Sequence, residues 1–553
     1  MGLAVVHSRG LEGIGAAAVQ VEVHLANGLP SLTLVGLADT EVREARERVR
    51  SALTQSGLGF PFNQRITVNL APADLPKESG RFDLPMALGI VAAQGGIDPR
   101  WLERLEFAGE LSLAGELRPV RGGLALALAL RAEALAGGRP LRALVLPAGS
   151  ADEAALVPGV QVCVATSLPE VVRALQRPCP GGEGAVLPAL PVVRAGAGAG
   201  AGTGTGAGAC GTAFSGSGGD GAALGGSSGK APDAPGLCLR DIRGQGAAKR
   251  ALEVCAAGHH NLLLVGPPGS GKTMLAQRLP GLLPPLLEPE ALSAAAVASL
   301  SPEGLVPHRW RERAWRAPHH TAGAAALVGG GQPPRPGELS LAHQGVLFLD
   351  ELPEFGRRAL EALREPLETG EVVLARGARR ARFPCAVLLV AAMNPCPCGW
   401  HGAPAGSPSS CRCPPEAVHR YQSRLSGPLL DRLDLLVDVP PMVAGELLRP
   451  LASDESTADV ARRVARARQL QLERQGRPNA ALGPAELRER VPLSTGAQAF
   501  VEQAARQLGW TARSLHRALR VARTVADLQD APAVEVPHLA EAVQWRRALR
   551  ARP

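Results

Sequence analysis

Lysine is nearly missing from this chain. Of 59 lysine and arginine residues, only Lys77, Lys230, Lys249 and Lys272 are lysines. With the abundance of Ala and Gly, this is the composition expected of a GC-rich genome. A charged amino-terminal region followed by an apolar stretch is also missing, which argues against a signal peptide. No apolar run is long enough to span a bilayer, and the Leu/Ala-rich stretch from Leu124 to Leu130 is far too short. Ten cysteines in 553 residues, without an export signal, do not read as a disulfide framework. A cytoplasmic protein with no membrane partner is expected. The formal net charge of +8 permits nucleic-acid binding without requiring it.

What is present is chemistry for phosphate. The apolar run Leu262–Val265 reads as a buried parallel strand, and Met274–Leu279 reads as the start of a helix. Between them stand Gly266, Pro267, Pro268, Gly269, Ser270, Gly271, Lys272 and Thr273, a P-loop. Its glycines let backbone N–H groups turn toward phosphate oxygens, and the helix start adds partial positive charge. Lys272 is placed to reach the β- and γ-phosphates of ATP, and Thr273 to ligate Mg²⁺.

A second apolar strand, Val346–Leu349, ends in Asp350 and Glu351. Beside a P-loop this is a Walker B element: Asp350 holds the Mg²⁺ shell and Glu351 polarises the attacking water. A third apolar strand from Val387 to Ala392 leads to Asn394, which fits a water-orienting sensor 1; the alternative is an Asn-Pro turn. Arg432, within Ser426 to Asp434, is the candidate finger toward a transferring phosphoryl group, with Arg424 its competitor. The alternative for Arg432 is a surface pair with Asp431 or Asp434. Arg513 opens a late helix and is the candidate lid (sensor 2) arginine; Arg517 and Arg520 follow at one and two turns.

Two further constellations stand apart. Cys396 and Cys398 are separated by twelve residues from Cys411 and Cys413. Four thiolates in a loop rich in Gly, Pro and Ser can close a tetrahedral zinc site, or remain reduced cysteines in a loop. Strands at Glu371–Ala375 and from Arg382 flank Arg376, Arg379 and Arg380, a β-hairpin with a cationic tip.

The expected organisation is multidomain α/β. Residues 1–177 mix strands (Gln20–Val23, Ser31–Val35, Ile66–Leu70, Arg142–Leu146) with helices (Thr40–Gln55, Leu84–Ala93). Residues 178–235 read as a flexible linker, because the Gly/Ala/Ser/Thr run has too little apolar surface to offset its ordering entropy. Residues 236–445 carry the ATPase core, and 446–553 a helical, arginine-rich lid domain.

The order of these elements, with Arg316 to Thr321, Gly345 to Glu351, Ala391 to Gly399, Ser426 to Leu435 and Arg513 to Leu528, resembles the ComM (YifB-type) family of magnesium-chelatase-related AAA+ ATPases. The resemblance implies a homo-hexameric ring using ATP and Mg²⁺, with helicase or branch-migration activity on single-stranded or branched DNA during natural transformation. In such rings the Arg376–Arg380 hairpin is expected to project into the pore; the alternative is a solvated hairpin contacting a neighbouring subunit. Residues 1–177 resemble the Lon-protease (S5 domain 2-like) fold. Asp74 to Asp83 lies where that fold places its nucleophile turn, with no serine in that context, and Ala125 stands near the expected lysine. A binding or structural domain without peptidase chemistry is expected. The alternative readings are the ATPase subunit of a magnesium-chelatase-like metal-insertion complex and an ATP-dependent protease.

Overall fold

A computed structural model describes residues 2–35, 40–73, 80–137, 141–180, 188–193, 237–331, 334–376, 379–402, 410–441 and 455–547. The chain divides into two compact units. The first comprises Met1–Gly226, Leu292–Trp310 and Gly377–Arg382; the second comprises Ser227–Ala291, Arg311–Arg376 and Phe383–Pro553.

The first unit is built on one eight-stranded mixed sheet. Its strand order is Val192–Val193, Val162–Ala165, Ala143–Pro147, Leu105–Phe107, Gly2–Glu12, Gly15–Asn27, Gln64–Ala71 and Ser31–Val35. Gly2–Glu12 and Gly15–Asn27 are antiparallel, in register from Gly2 opposite Leu25 to Glu12 opposite Gly15. In Gly15–Asn27 the residues Val19, Val21, Val23 and Leu25 are buried and alternate with more exposed neighbours, the period of a half-covered strand. The helix Asp83–Ala93 covers that face. Gly89 permits its close approach, since a Cβ there would lie 2.4 Å from Val23 Cγ2. At the helix start the Asp83 carboxylate is fully buried and takes Arg48 Nε at 2.6 Å and the Leu111 N–H at 3.2 Å. Burial outweighs these partners and pushes the Asp83 carboxyl up to about 6.

Part of the stretch expected as linker is folded. Cys179 and Leu190 are buried in the core of this unit, and Val192–Val193 pair antiparallel with Val162–Cys163. The remainder of the expected linker, residues 181–187 and 194–235, lies outside the described residues.

The second unit holds a five-stranded sheet in the order Trp315–Arg316, Val346–Leu349, Leu388–Met393, Leu262–Val265 and Leu435–Asp438, with every pair parallel. Its long strands are apolar runs because helices cover both faces, as parallel sheets require. Helices Thr457–Gln475, Pro484–Arg490, Thr495–Gln507, Ala512–Leu528 and Val536–Arg547 make the carboxyl-terminal part. The first is opened by a capping box between Ser456 and Asp459. Val464, Val521 and Val525 share one hydrophobic core with Leu252 and Cys255 of the helix Gly246–Gly258 and with the strands.

Candidate nucleotide and metal sites

The strand Leu262–Val265 delivers the P-loop to the carboxyl edge of the parallel sheet, where open α/β sheets bind their ligands. Gly269 and Gly271 have φ of +75° and +89°, a backbone that side chains disfavour, and a Cβ on either would meet nothing within 4 Å. The loop is therefore an open cradle of backbone. Ser270 inside it is buried, and its Oγ has no hydrogen-bond partner among the described residues. Lys272 donates to Gly266 O at 2.8 Å, Pro267 O at 3.0 Å and Asn394 Oδ1 at 3.1 Å. Burial lowers its pKa, against the opposing pull of Asp350 and Glu351. An ammonium already withdrawn from water and held by neutral oxygens fits an incoming phosphate.

Thr273 Oγ1 donates to Asp350 Oδ2 at 2.8 Å, so the hydroxyl and carboxylate expected to share a hydrated Mg²⁺ are already side by side. Asp350 Oδ1 accepts the Glu351 N–H at 2.9 Å. Glu351 follows with φ of +52°, a left-handed turn that is uncommon for a non-glycine residue. Its carboxylate stands 3.0 Å from His320 Nδ1, and the His320 ring packs on His319 with centroids 4.1 Å apart. His320 is a site residue that sequence reasoning missed. It lies just beyond the edge strand Trp315–Arg316, which pairs with the Walker B strand; in the sequence, Arg316 to Thr321 reads only as a family signature.

The four cysteines converge. The ligand atoms of Cys396, Cys398, Cys411 and Cys413 all lie within 4.8 Å of one another. Cys396 is buried and the other three are half-buried. Sulfur separations are 3.3 Å for Cys396–Cys398, 3.7 Å for Cys396–Cys411 and 3.6 Å for Cys398–Cys411. A tetrahedron with Zn–S of about 2.3 Å has edges of about 3.8 Å, so the cluster has the size of a four-thiolate zinc site. Although burial opposes it, the backbone N–H groups of Trp400 and Arg412 draw the Cys398 thiol down to about 6.

Both candidate arginines turn to one carboxylate. Arg432 is buried; it donates to Arg364 O at 2.8 Å and Pro428 O at 2.7 Å, and pairs with Glu368. Arg513 is exposed and donates to Glu368 Oε1 at 3.2 Å. Among the described residues, neither Asp431 nor Asp434 pairs with Arg432, and neither arginine pairs with the P-loop, Asp350 or Glu351 of this chain. Asp434 instead takes Arg517 Nη1 at 2.6 Å, which with His260 overcomes burial and holds its carboxyl below the ordinary range. Arg424 pairs with Glu354 at 2.8 Å.

Comparison with known proteins gives this geometry a family. Residues 238–447 match the model for magnesium chelatase, subunit ChlI; residues 21–147 match subunit ChlI of Mg-chelatase; and residues 454–546 match its carboxyl-terminal model. The chain is 44% identical over 550 residues to competence protein ComM of Haemophilus influenzae, covering 100% of this chain and 98% of that one. It is 42% identical to YifB of Escherichia coli (99% and 97% covered) and 39% identical to Rv2897c of Mycobacterium tuberculosis (99% of each). The chain belongs to the ComM/YifB family of magnesium-chelatase-related AAA+ proteins. Membership carries ATP hydrolysis with Mg²⁺ as the general chemistry, and the P-loop fits it.

Other regions bearing on this family are described in part. Glu371–Arg376 and Arg379–Pro384 form a two-stranded sheet, as the hairpin expectation required. Arg380 is exposed; the side chains of Arg376 and Arg379, and residues 377–378, lie outside the described residues. Residues 74–79 of the nucleophile-like segment also lie outside them. Arg81 and Asp83 beyond it are buried and engaged with Arg121 O and Arg48. Ala125 is buried in the helix Gly123–Gly137. No described helix is long and apolar enough to cross a membrane.

Proposed function

We propose that the chain is an ATP-driven DNA motor that assembles as a hexameric ring and promotes branch migration or unwinding as incoming DNA is recombined. The observation that carries the nucleotide half is the meeting of Lys272, Thr273, Asp350, Glu351 and Asn394 at one sheet edge. There the Thr273 hydroxyl is 2.8 Å from Asp350, and the Lys272 amine is 3.1 Å from Asn394. Bound ATP with Mg²⁺ supplies the phosphoryl group to be transferred. Lys272 and the loop N–H groups bind phosphate oxygens, Thr273 and Asp350 hold the metal's shell, and Glu351, oriented by His320, takes a proton from the attacking water. Asn394 orients that water. Arg432 keeps the role of finger toward a neighbouring subunit and Arg513 that of lid arginine; each must exchange Glu368 for a phosphate to act.

The DNA half is supported by full-length similarity to a protein named for competence and by the arginines Arg376, Arg379 and Arg380, a cation set suited to gripping phosphates without reading sequence. The four cysteines are proposed to hold one zinc ion. Residues 1–177 are proposed as a Lon-like domain without the serine–lysine pair, 236–445 as the ATPase core and 446–553 as the lid. The test uses purified full-length protein: DNA-stimulated ATP hydrolysis and ATP-dependent migration of a synthetic Holliday junction. Both are expected. An ATPase indifferent to DNA that leaves the junction in place would favour a metal-insertion motor, the reading supported by the names of the three matching family models.

A further inference from the structure

We propose that the metal held by Cys396, Cys398, Cys411 and Cys413 braces the P-loop, so that nucleotide affinity depends on metal occupancy. The proposal rests on the nucleotide and zinc readings above and adds a coupling between them. The single stretch Met393–Gly399 touches the P-loop at three places. Met393 O accepts the Gly266 N–H at 3.2 Å. Asn394 Oδ1 accepts from Lys272 Nζ at 3.1 Å. Gly399 lies against Pro268 so closely that a Cβ on it would sit 2.4 Å from Pro268 Cδ and 2.7 Å from Cγ.

Two of the four thiols, Cys396 and Cys398, lie inside this stretch. The turn that contains them is tight: the Gly399 N–H donates to Cys396 O at 2.9 Å, and Gly399 has φ of +86°. The other two thiols precede the helix Pro415–Gln422, whose last residue, Gln422, donates to Pro395 O at 2.9 Å. A metal ion joining the four sulfurs therefore ties the stretch to the segment that leads into that helix. It restrains Asn394 and Gly399 together, the two residues that touch Lys272 and Pro268. Metal-ligand bonds can order a short loop of Gly, Pro and Ser that has little apolar surface of its own to bury. A P-loop held in its binding shape loses less conformational freedom when nucleotide arrives.

The experiment uses the full chain and Zn²⁺ as the metal. Elemental analysis gives zinc per chain, and titration with a fluorescent ADP analogue gives nucleotide affinity. Both are measured as purified, after a zinc-selective chelator with Mg²⁺ in excess, and after Zn²⁺ is returned. About one zinc per chain is expected. Nucleotide affinity is expected to fall on the order of tenfold on stripping, as for other groups that support a ligand shell, and to recover with Zn²⁺. Pro268→Ala supplies the second arm: it lies outside the cysteine turn and removes the packing of Gly399 on the P-loop, so zinc should be retained while nucleotide affinity falls. If stripping unfolds the chain, as circular dichroism would reveal, Cys413→Ser takes its place: with one of the four ligands lost, zinc content should drop and nucleotide affinity should fall with it. Zinc present with affinity unchanged in both arms overturns the coupling and leaves the zinc reading intact. Absence of zinc with nucleotide still bound overturns the zinc reading and the coupling. Absence of nucleotide binding in every form overturns the nucleotide reading itself.

Discussion

Lys272 and Glu351 belong to the same site, and their losses should be told apart. Lys272→Ala removes a cation that already faces the phosphate position, so nucleotide binding itself should weaken. Glu351→Gln keeps the shape but not the base, so ATP should bind and persist, with turnover down at least about a hundredfold. His320→Ala should resemble the Glu351 variant in direction, with binding kept and turnover reduced, because the imidazole at 3.0 Å orients that carboxylate. Equilibrium binding and single-turnover hydrolysis separate the cases; full turnover in Glu351→Gln would remove it from the chemistry. A carboxyl in the first unit carries a separate pH dependence. Burial pushes the Glu153 carboxyl from 4.5 up to about 7, against donation from the Leu305 and Leu124 backbone, and its Oε2 has no partner among the described residues. A raised carboxyl favours the folded state fully at low pH, and that advantage fades as pH rises through about 7. Glu153→Gln mimics the protonated form. Relative to the parent it should gain little in melting temperature near pH 4 and progressively more by pH 8, and a gain that does not vary with pH would count against this assignment.

Elements differ in how openly the sequence announces them. The helix Thr40–Gln55 and the strand Ser31–Val35 appear at their expected limits, because charge periodicity and short β-branched alternation are local signals. The Walker strands are equally open, since a strand buried on both faces reads as an apolar run. Gly2–Glu12 is harder to read: its His, Ser, Arg and Gly residues mask the alternation, and it becomes a strand by pairing along its whole length with Gly15–Asn27. Val192–Val193 is hidden for the converse reason, a short apolar pair at the border of a bland run. Long-range pairs are not legible at all. Arg48 and Asp83 lie 35 positions apart and Arg9 and Glu106 lie 97 apart, and only the fold brings them together. Of the candidate site, the P-loop, Walker B, Asn394 and the four cysteines are legible as motifs, while the hold of His320 on Glu351 and of Glu368 on two arginines is not. The arginine hairpin carries its own prediction. Replacing Arg376, Arg379 and Arg380 together with alanine should weaken DNA binding and reduce the slope of log affinity against log salt by about 0.9 for each duplex phosphate no longer neutralised. Basal ATP hydrolysis should persist, and an unchanged slope would exclude the hairpin from the DNA path.

At the scale of the whole chain, two units with separate cores carry different burdens: the nucleotide and cysteine sites lie in the second, and the first offers a mixed sheet whose nucleophile-like region shows Arg81 and Asp83 engaged in buried contacts. Incubation of the intact protein with casein and ATP should therefore yield no cleavage; peptide products that survive rigorous purification would reverse that expectation. The scarcity of lysine, joined to the buried position of Lys272, has a practical outcome for chemical labelling. An ATP analogue bearing an acyl group on its terminal phosphate reacts by forming an amide with a neighbouring uncharged amine as the acyl–phosphate bond breaks. Burial makes Lys272 less basic than an ordinary lysine, and the only other lysines in the chain are Lys77, Lys230 and Lys249. Peptide mapping after such labelling should find the tag concentrated on Lys272 and displaced by excess ATP, so that a chain poor in amines reports nucleotide occupancy through a single covalent mark.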